Sequence, residues 1–211
     1  MTHSPSGSTL AEAEAFLAAL KARFGGNFST AMIVREQHGR DESAFTHVPP
    51  PAAVVFAECT QDVADAVKLC AEHKVPVIPF GVGTSLEGQV QAVNGGLCID
   101  MSKMGKVIAV NPEDLDCRVE AGVTREQLNL EIRDQGLFFP IDPGADASLG
   151  GMAATRASGT TASRRRTPSP MIGWSSTMRT TNGWLTVFAG LTAAAYRDSI
   201  RRCPRWFPRQ H

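Results

Sequence analysis

The sequence predicts an α/β (α+β) fold, and three observations carry that expectation. Short apolar runs alternate with helical stripes from Ala53 onward. Ala53–Ala57, a helix and Val75–Pro79 follow one another in βαβ order. Two glycine-rich segments, at 81–88 and 144–159, interrupt the alternation.

The first helix opens with Thr9 and Glu12 in capping-box spacing, carries Leu10, Phe16, Leu17, Leu20 and Phe24 on one stripe, and stops at Gly25-Gly26. A polar stretch follows. The Pro49-Pro50-Pro51 run is a stiff lead-in to the next unit. Ala53–Ala57 is apolar throughout and reads as a buried strand. A helix capped by Thr60 then carries Val63, Val67 and Cys70 at i, i+4, i+7 and ends near His73. Val75–Pro79 is bounded by prolines, as an edge or terminal strand allows. Leu97–Asp100, Val107–Val110 and Cys117–Ala121 are further short strands separated by turn residues. Another helix starts at Thr124 with Gln127 completing a capping box, buries Leu128 and Ile132, and terminates at Gly136.

Composition excludes several classes of function. The 211 residues are 43% apolar and 20% charged with mean hydropathy −0.11, the profile of a globular protein. Lys+Arg 21 balance Asp+Glu 21, which disfavours a generally basic nucleic-acid binder. No apolar run approaches the roughly 20 residues that cross a bilayer, and the start lacks the layout of a secretory signal. The expectation is a cytoplasmic chain whose membrane contact is at most peripheral, at the inner face. The five cysteines form no CxxC and read as small buried hydrophobes. The balanced charge hides two unlike pieces: residues 1–160 hold 12 basic and 20 acidic side chains, whereas residues 161–211 hold nine Arg and the single acid Asp198.

The first glycine-rich segment, Pro79-Phe80-Gly81-Val82-Gly83-Thr84-Ser85-Leu86-Glu87-Gly88, directly follows a strand. Its glycines let the backbone approach a ligand and turn several N–H groups to one side, with Thr84 and Ser85 adding hydroxyls; such a nest suits a pyrophosphate. A P-loop is excluded because Gln89 and Val90, not Lys and Ser/Thr, follow Gly88. A Rossmann fingerprint is excluded because Leu86 occupies the third glycine position. A tight turn remains open on composition alone. The second segment, Ile141 to Gly159, is dense in residues too small to fill a core and suited to lying flat against a planar ligand. Asp142 and Asp146 within it read as turn or cap residues rather than metal ligands or catalytic acids. No catalytic residue and no metal site is assigned.

PFGVGTSLEG, the later GGLCIDMSKM, the AGVTREQLN helix start and FPIDPGADASLGGMAATRASGT stand in this order. Together they resemble the FAD-binding domain of the PCMH-type (vanillyl-alcohol oxidase) flavoproteins, and most of all the flavin-dependent D-lactate dehydrogenases and the glycolate oxidase FAD subunit. The resemblance covers about Arg35 to Thr160, Gly39-Arg40-Asp41-Glu42-Ser43 included. It implies two α/β subdomains gripping an extended FAD and the oxidation of a D-2-hydroxy acid (D-lactate or glycolate) by hydride transfer to the flavin. Pro79, Gly81, Val82, Gly83, Thr84, Ser85 and Leu86 would hold the pyrophosphate. Pro143, Gly144, Ser148, Gly150, Gly151, Thr155 and Ser158 would run beside the ribityl chain and ring. No histidine lies between His73 and His211, so non-covalent FAD is expected.

The organisation expected is a helical lead segment over 1–48, an incomplete FAD-binding domain over 49–160 comprising the first subdomain and part of the second, and an irregular Arg/Ser/Thr-rich tail over 161–211. With shifted codons, Arg166–Met171 can encode Asn-Ala-Val-Pro-Tyr and Gly183–Val187 can encode Leu-Ala-Asp-Gly, which are the family's continuation. The tail therefore reads as out-of-frame translation, with a genuine divergent tail as the alternative. The family's substrate cap and C-terminal portion have no counterpart here, so the chain by itself is expected to bind FAD weakly or not at all and to be inactive. Two other readings remain: a non-catalytic flavin-site subunit of a complex, and a cell-wall precursor reductase, which shares the fold but against which the ADASLGGMAATRASGT segment argues.

Overall fold

Two sheets, each with its own helices, meet at the glycine-rich segments. The computed structural model describes residues 7–44, 48–157, 173–174, 179–181 and 184–190. Ser158, the Arg164–Arg166 run and the codon-shift motif at 166–171 lie outside the described residues.

Helix α1 (Gly7–Phe24) buries Phe16, Leu20 and Phe24. A 3-10 turn at Gly25–Asn27 leads to β1 (Phe28–Ser29) and α2 (Met32–His38). These last two elements lie where the sequence shows only a polar stretch. The reason is plain on α2, where Met32 and Ile33 are exposed and only His38 is buried, so no apolar stripe marks the helix. Arg35 anchors it instead, its Nε donating to the Pro51 carbonyl at 2.6 Å.

Strand β2 (Ala53–Phe56) is followed by α3 (Thr60–Glu72), with Cys59 rather than Thr60 at the cap position. The buried stripe of α3 is Ala66 and Cys70 with Val63 partly covered; Val67 points outward, 43% exposed. Helices α1 and α3 are tied by Arg23, which meets Asp62 at 3.0 Å and Asp65 at 2.6 Å. Strands β3 (Val77–Phe80) and β4 (Leu97–Asp100) complete the first sheet. Its order is β1-β2-β4-β3, with β4 parallel to both β2 and β3. Strand β3 is thus an edge, as its flanking prolines suggest. The core of this half packs α1 and α3 on the sheet around Leu20, Val55, Leu97 and Ile99, each fully buried apolar side chain contributing about 1.5–3 kcal/mol.

The second half holds β5 (Val107–Asn111) and β6 (Asp116–Val119), paired antiparallel. Helix α4 (Arg125–Ile132) follows and runs into a 3-10 turn over Arg133–Gln135, just before Gly136. Its cap is half of the expected box. Thr124 Oγ1 accepts from the Gln127 amide at 3.2 Å, but the Gln127 side chain donates to the Gly105 carbonyl at 2.6 Å instead of reaching back. Leu128 and Ile132 are buried as expected, with Val119, Val123, Leu149 and Met152.

Residues 149–155 are not a flat ribbon. They form helix α5 (Leu149–Thr155), because Ser148 caps them: its Oγ accepts from the Gly151 amide at 3.3 Å. Within the tail, the described residues are strands. Strands β7 (Gly173–Trp174), β8 (Arg179–Thr181) and β9 (Trp184–Gly190) join the second sheet, β9 pairing antiparallel with β6 from Val119↔Leu185 to Asp116↔Phe188. That sheet runs β5-β6-β9-β7, with β8 on β9. Among the described residues, no helix is long and apolar enough to cross a membrane.

Candidate functional site: a cleft between two glycine-rich segments

A cleft of about 400 Å³ opens where the end of β3 faces α5, within the usual size range of small-molecule sites. On one wall stand Pro79, Phe80, Gly81, Val82, Gly83, Thr84, Ser85, Gln89 and Val90. On the other stand Pro143, Ala147, Ser148, Gly150, Gly151, Met152, Ala154, Thr155 and Ala157, with Met101 and Ala121 at the junction. Among the described residues, no charged side chain lines it.

The first wall is shaped by its backbone. The Met101 amide donates to the Phe80 carbonyl at 3.1 Å, ending the pairing of β3, and the chain then turns away. Gly83 has φ +74°, a conformation that side chains with a Cβ rarely adopt. Among the described residues, none of the amides of 81–86 donates to a protein acceptor. Unpaired amides on one short loop form a nest suited to an anion.

The amides of the second wall are already used. Those of Leu149 and Gly150 donate to the Val123 and Ala121 carbonyls, at 2.8 and 2.9 Å, and that of Gly151 to Ser148 Oγ. This wall therefore offers shape rather than hydrogen bonds. Its small residues let two backbones touch: a Cβ on Gly150 would lie 2.7 Å from the Ala121 carbonyl oxygen.

Two polar clusters support the first wall from behind. Asp41 Oδ2 accepts from Ser85 Oγ at 2.8 Å, and Oδ1 accepts from the Ser43 amide and hydroxyl and from Gln91 Nε2 at 3.3 Å. Burial alone would raise the pKa of this carboxyl, but the donors on both oxygens outweigh it and hold the pKa below its ordinary value. Ser85 thus gives its hydroxyl proton to Asp41, which corrects the expectation that it donates into the cleft; the Thr84 hydroxyl has no partner among the described residues.

Deeper lies His38, at the end of α2. Its Nδ1 is 2.7 Å from the Val34 carbonyl and its Nε2 is 2.8 Å from Asp100 Oδ2, while its ring packs against Phe80 with centroids 4.6 Å apart. Both ring nitrogens face acceptors, an arrangement that favours the doubly protonated ring beside the Asp100 carboxylate. Burial pulls the His38 pKa down, yet Asp100 and the Val34 carbonyl together raise it above its ordinary value. Asp100 is pushed up by burial and brought down further by His38 and by the Ser102 amide at 2.6 Å, and ends below its ordinary value.

Of the sequence-derived site residues, Pro79, Gly81, Val82, Gly83, Thr84 and Ser85 line one wall and Pro143, Ser148, Gly150, Gly151 and Thr155 the other. Leu86 does not line the cleft; it points to solvent, 73% exposed. Gly144 sits in a turn whose amide donates to Asp142 Oδ1, outside the lining. Ser158 lies outside the described residues. Asp142 and Asp146 act as turn and cap, Asp146 accepting from the Glu126 amide at 2.8 Å. Residues not singled out from sequence are Phe80, Gln89, Val90, Met101 and Met152 in the lining, and Asp41 and His38 behind it. The acid within Gly39–Ser43 was the available signal for Asp41; nothing in the local pattern marks His38.

Fold and cleft define an α/β protein that can receive an extended, anionic ligand between two sheets. The chain belongs to the FAD binding domain family, whose model matches residues 51–192. That range extends past 160 into the second sheet's last strands. The chain is 54% identical over 136 residues to a probable mitochondrial D-lactate dehydrogenase of Danio rerio, an alignment covering 64% of this chain and 27% of the relative. It is 44% identical over 146 residues to the mitochondrial D-lactate dehydrogenase [cytochrome] of Arabidopsis thaliana, covering 69% and 26%. Among solved structures, an alkyldihydroxyacetonephosphate synthase superposes with TM-score 0.63 at 26% identity, covering 69% of this chain and 32% of that one. The chain thus spans about a quarter of the length of these curated relatives.

Proposed function

We propose that the cleft holds FAD, with the diphosphate on the amides of residues 81–86 and the ribityl chain and ring along α5. One observation carries this reading: among the described residues the loop's amides have no protein acceptor, and residues 81–85 line a cleft in whose described lining no side chain is charged. A diphosphate supplies the acceptors such a nest lacks, each charge-assisted hydrogen bond worth about 1.5–3 kcal/mol. Gly81 lets the loop close on Ser148, and the small residues of α5 leave room for a broad flat group. The lining includes no His or Cys among the described residues, which supports non-covalent binding.

A bound flavin would supply the hydride acceptor for oxidation of a 2-hydroxy acid, and the residues of the two walls would bind, orient and shield the cofactor. A D-2-hydroxy acid such as D-lactate or glycolate is the proposed substrate of a protein of the relatives' length. Both relatives are named D-lactate dehydrogenases, which supports that class. Their names also include "mitochondrial". The cytoplasmic location expected from the sequence stays part of this proposal, and cell fractionation separates the two compartments.

Equilibrium dialysis of the purified chain against FAD tests the reading. The expected result is retained flavin at up to one per chain, all released by acid precipitation. Retention no greater than that of bovine serum albumin would overturn the cofactor, and flavin left in the precipitate would overturn its non-covalent attachment.

A further inference from the structure

We propose that Asp41 is a positioning residue that fixes the 81–86 loop in its diphosphate-receiving shape, acting through Ser85 and Gln91 without touching the cofactor. The inference rests on the FAD reading of the cleft. Loop 81–86 leaves an edge strand, so sheet pairing secures it at one end only. The loop's amides are unpartnered among the described residues, and no cationic side chain among those residues lines the cleft to gather a diphosphate. Affinity then depends on the amides being held in place beforehand.

Asp41 supplies that hold. Its two oxygens take donors from positions 44 and 50 residues away, Ser85 Oγ at 2.8 Å and Gln91 Nε2 at 3.3 Å. Gln91 Nε2 also donates to Ser43 Oγ at 2.9 Å, closing a ring of side chains around the carboxylate. The neighbouring backbone lies along the same edge: the Glu42 amide donates to the Ser85 carbonyl at 3.0 Å, and the Arg40 carbonyl lies 3.5 Å from where a Gly83 Cβ would be. Asp41 is absent from the lining, and its charge is taken up by its own donors, so it shapes the loop without repelling an anion in the cleft.

The test uses Asp41→Asn in the full chain, which keeps size and planarity but replaces one acceptor with a donor. FAD, ADP and riboflavin are compared as ligands, the last having no diphosphate. The expected result is Kd raised about tenfold for FAD and for ADP, with riboflavin changed by less than about twofold. In the absence of ligand, a glutamate-specific protease is expected to cut after Glu87 several times faster in the variant. Should Asp41→Asn fail to fold, Ser85→Ala removes only the hydroxyl link and is expected to weaken ADP about threefold, with riboflavin unchanged. Equal weakening of ADP and riboflavin, or unchanged ADP affinity, would overturn the proposal. A wild-type chain that binds neither FAD nor ADP would strike the cofactor reading instead, and unchanged cleavage after Glu87 would still overturn the role of Asp41.

Discussion

Gly81 and Ser148 meet with no room for another carbon: a Cβ on Gly81 would run into Ser148 Oγ. One residue ends the first sheet's edge strand and the other caps the helix of the opposite wall. Their contact is the point where the two glycine-rich segments become one site.

Gly81→Ala therefore displaces a hydroxyl that is already engaged. Ser148 is 2% exposed and its Oγ accepts from the Gly151 amide, so rotating it away forfeits the cap of α5, a loss of about 1 kcal/mol. The expected outcome is about tenfold weaker FAD binding with a lowered Tm. In Gly81→Ala/Ser148→Ala, the nearest Ser148 atom left is its Cβ, at 3.5 Å, an ordinary contact. The double variant should thus lose less affinity than the two single losses combined, as a double-mutant cycle on Kd would read.

Gly150→Ala meets a less forgiving neighbour. The added carbon would fall 2.7 Å from the Ala121 carbonyl oxygen and 2.8 Å from its Cβ, atoms that move only with the backbone. Overpacking of this kind costs about 1–3 kcal/mol. Denaturant unfolding should show that loss, larger than for Gly144→Ala, where nothing lies within 4 Å of the new carbon, even though its φ of +88° adds some strain there.

The His38–Asp100 pair makes stability pH-dependent in a fixed direction. The folded pKa of His38 is raised, so its contribution is fully present below the ordinary histidine value of 6.5 and is lost as pH climbs through the folded value. The folded pKa of Asp100 is lowered, so its contribution is present above 3.8 and fades as pH falls through its folded value. His38→Gln breaks a buried pair and should cost about 3 kcal/mol near pH 5.5. The gap in Tm between wild type and variant should narrow between pH 6 and 9; a gap that widened would show that the imidazole is neutral in the fold.

The thiols separate by burial. Cys70 and Cys117 are pushed up to about 11 by burial, and Cys98, deeper still, goes higher. Cys59 is exposed, against the expectation that every cysteine is a core residue. Brief alkylation of the native chain at pH 8 followed by peptide mapping should modify Cys59 and leave Cys70, Cys98 and Cys117 intact.

The sequence made legible what local chemistry determines. The stripe of Phe16, Leu20 and Phe24, the cap at Thr124 and the strand at Ala53–Phe56 each announce themselves within a few residues. Gly81–Ser85 and Ser148–Gly151 were visible as places where backbones come close, and they share one cleft. What escaped depends on distant partners. Helix α2 has no apolar stripe and is held by Arg35 on Pro51 and His38 on Asp100, 16 and 62 residues away. The Gln127 side chain prefers the Gly105 carbonyl to its own helix end. Ser85 looked like a ligand donor because its partner, Asp41, lies 44 residues earlier. The spent amides of α5 could not be foreseen without knowing that Ala121 and Val123 lie beneath them.

The claim at the centre is that the amides of residues 81–86 receive a diphosphate. Titrating the chain with FAD while following flavin fluorescence, then adding ADP as competitor, measures this most directly. The expected result is saturable one-to-one binding that ADP reverses and riboflavin matches only poorly. Flavin binding that ADP leaves untouched, or riboflavin bound as tightly as FAD, would contradict it.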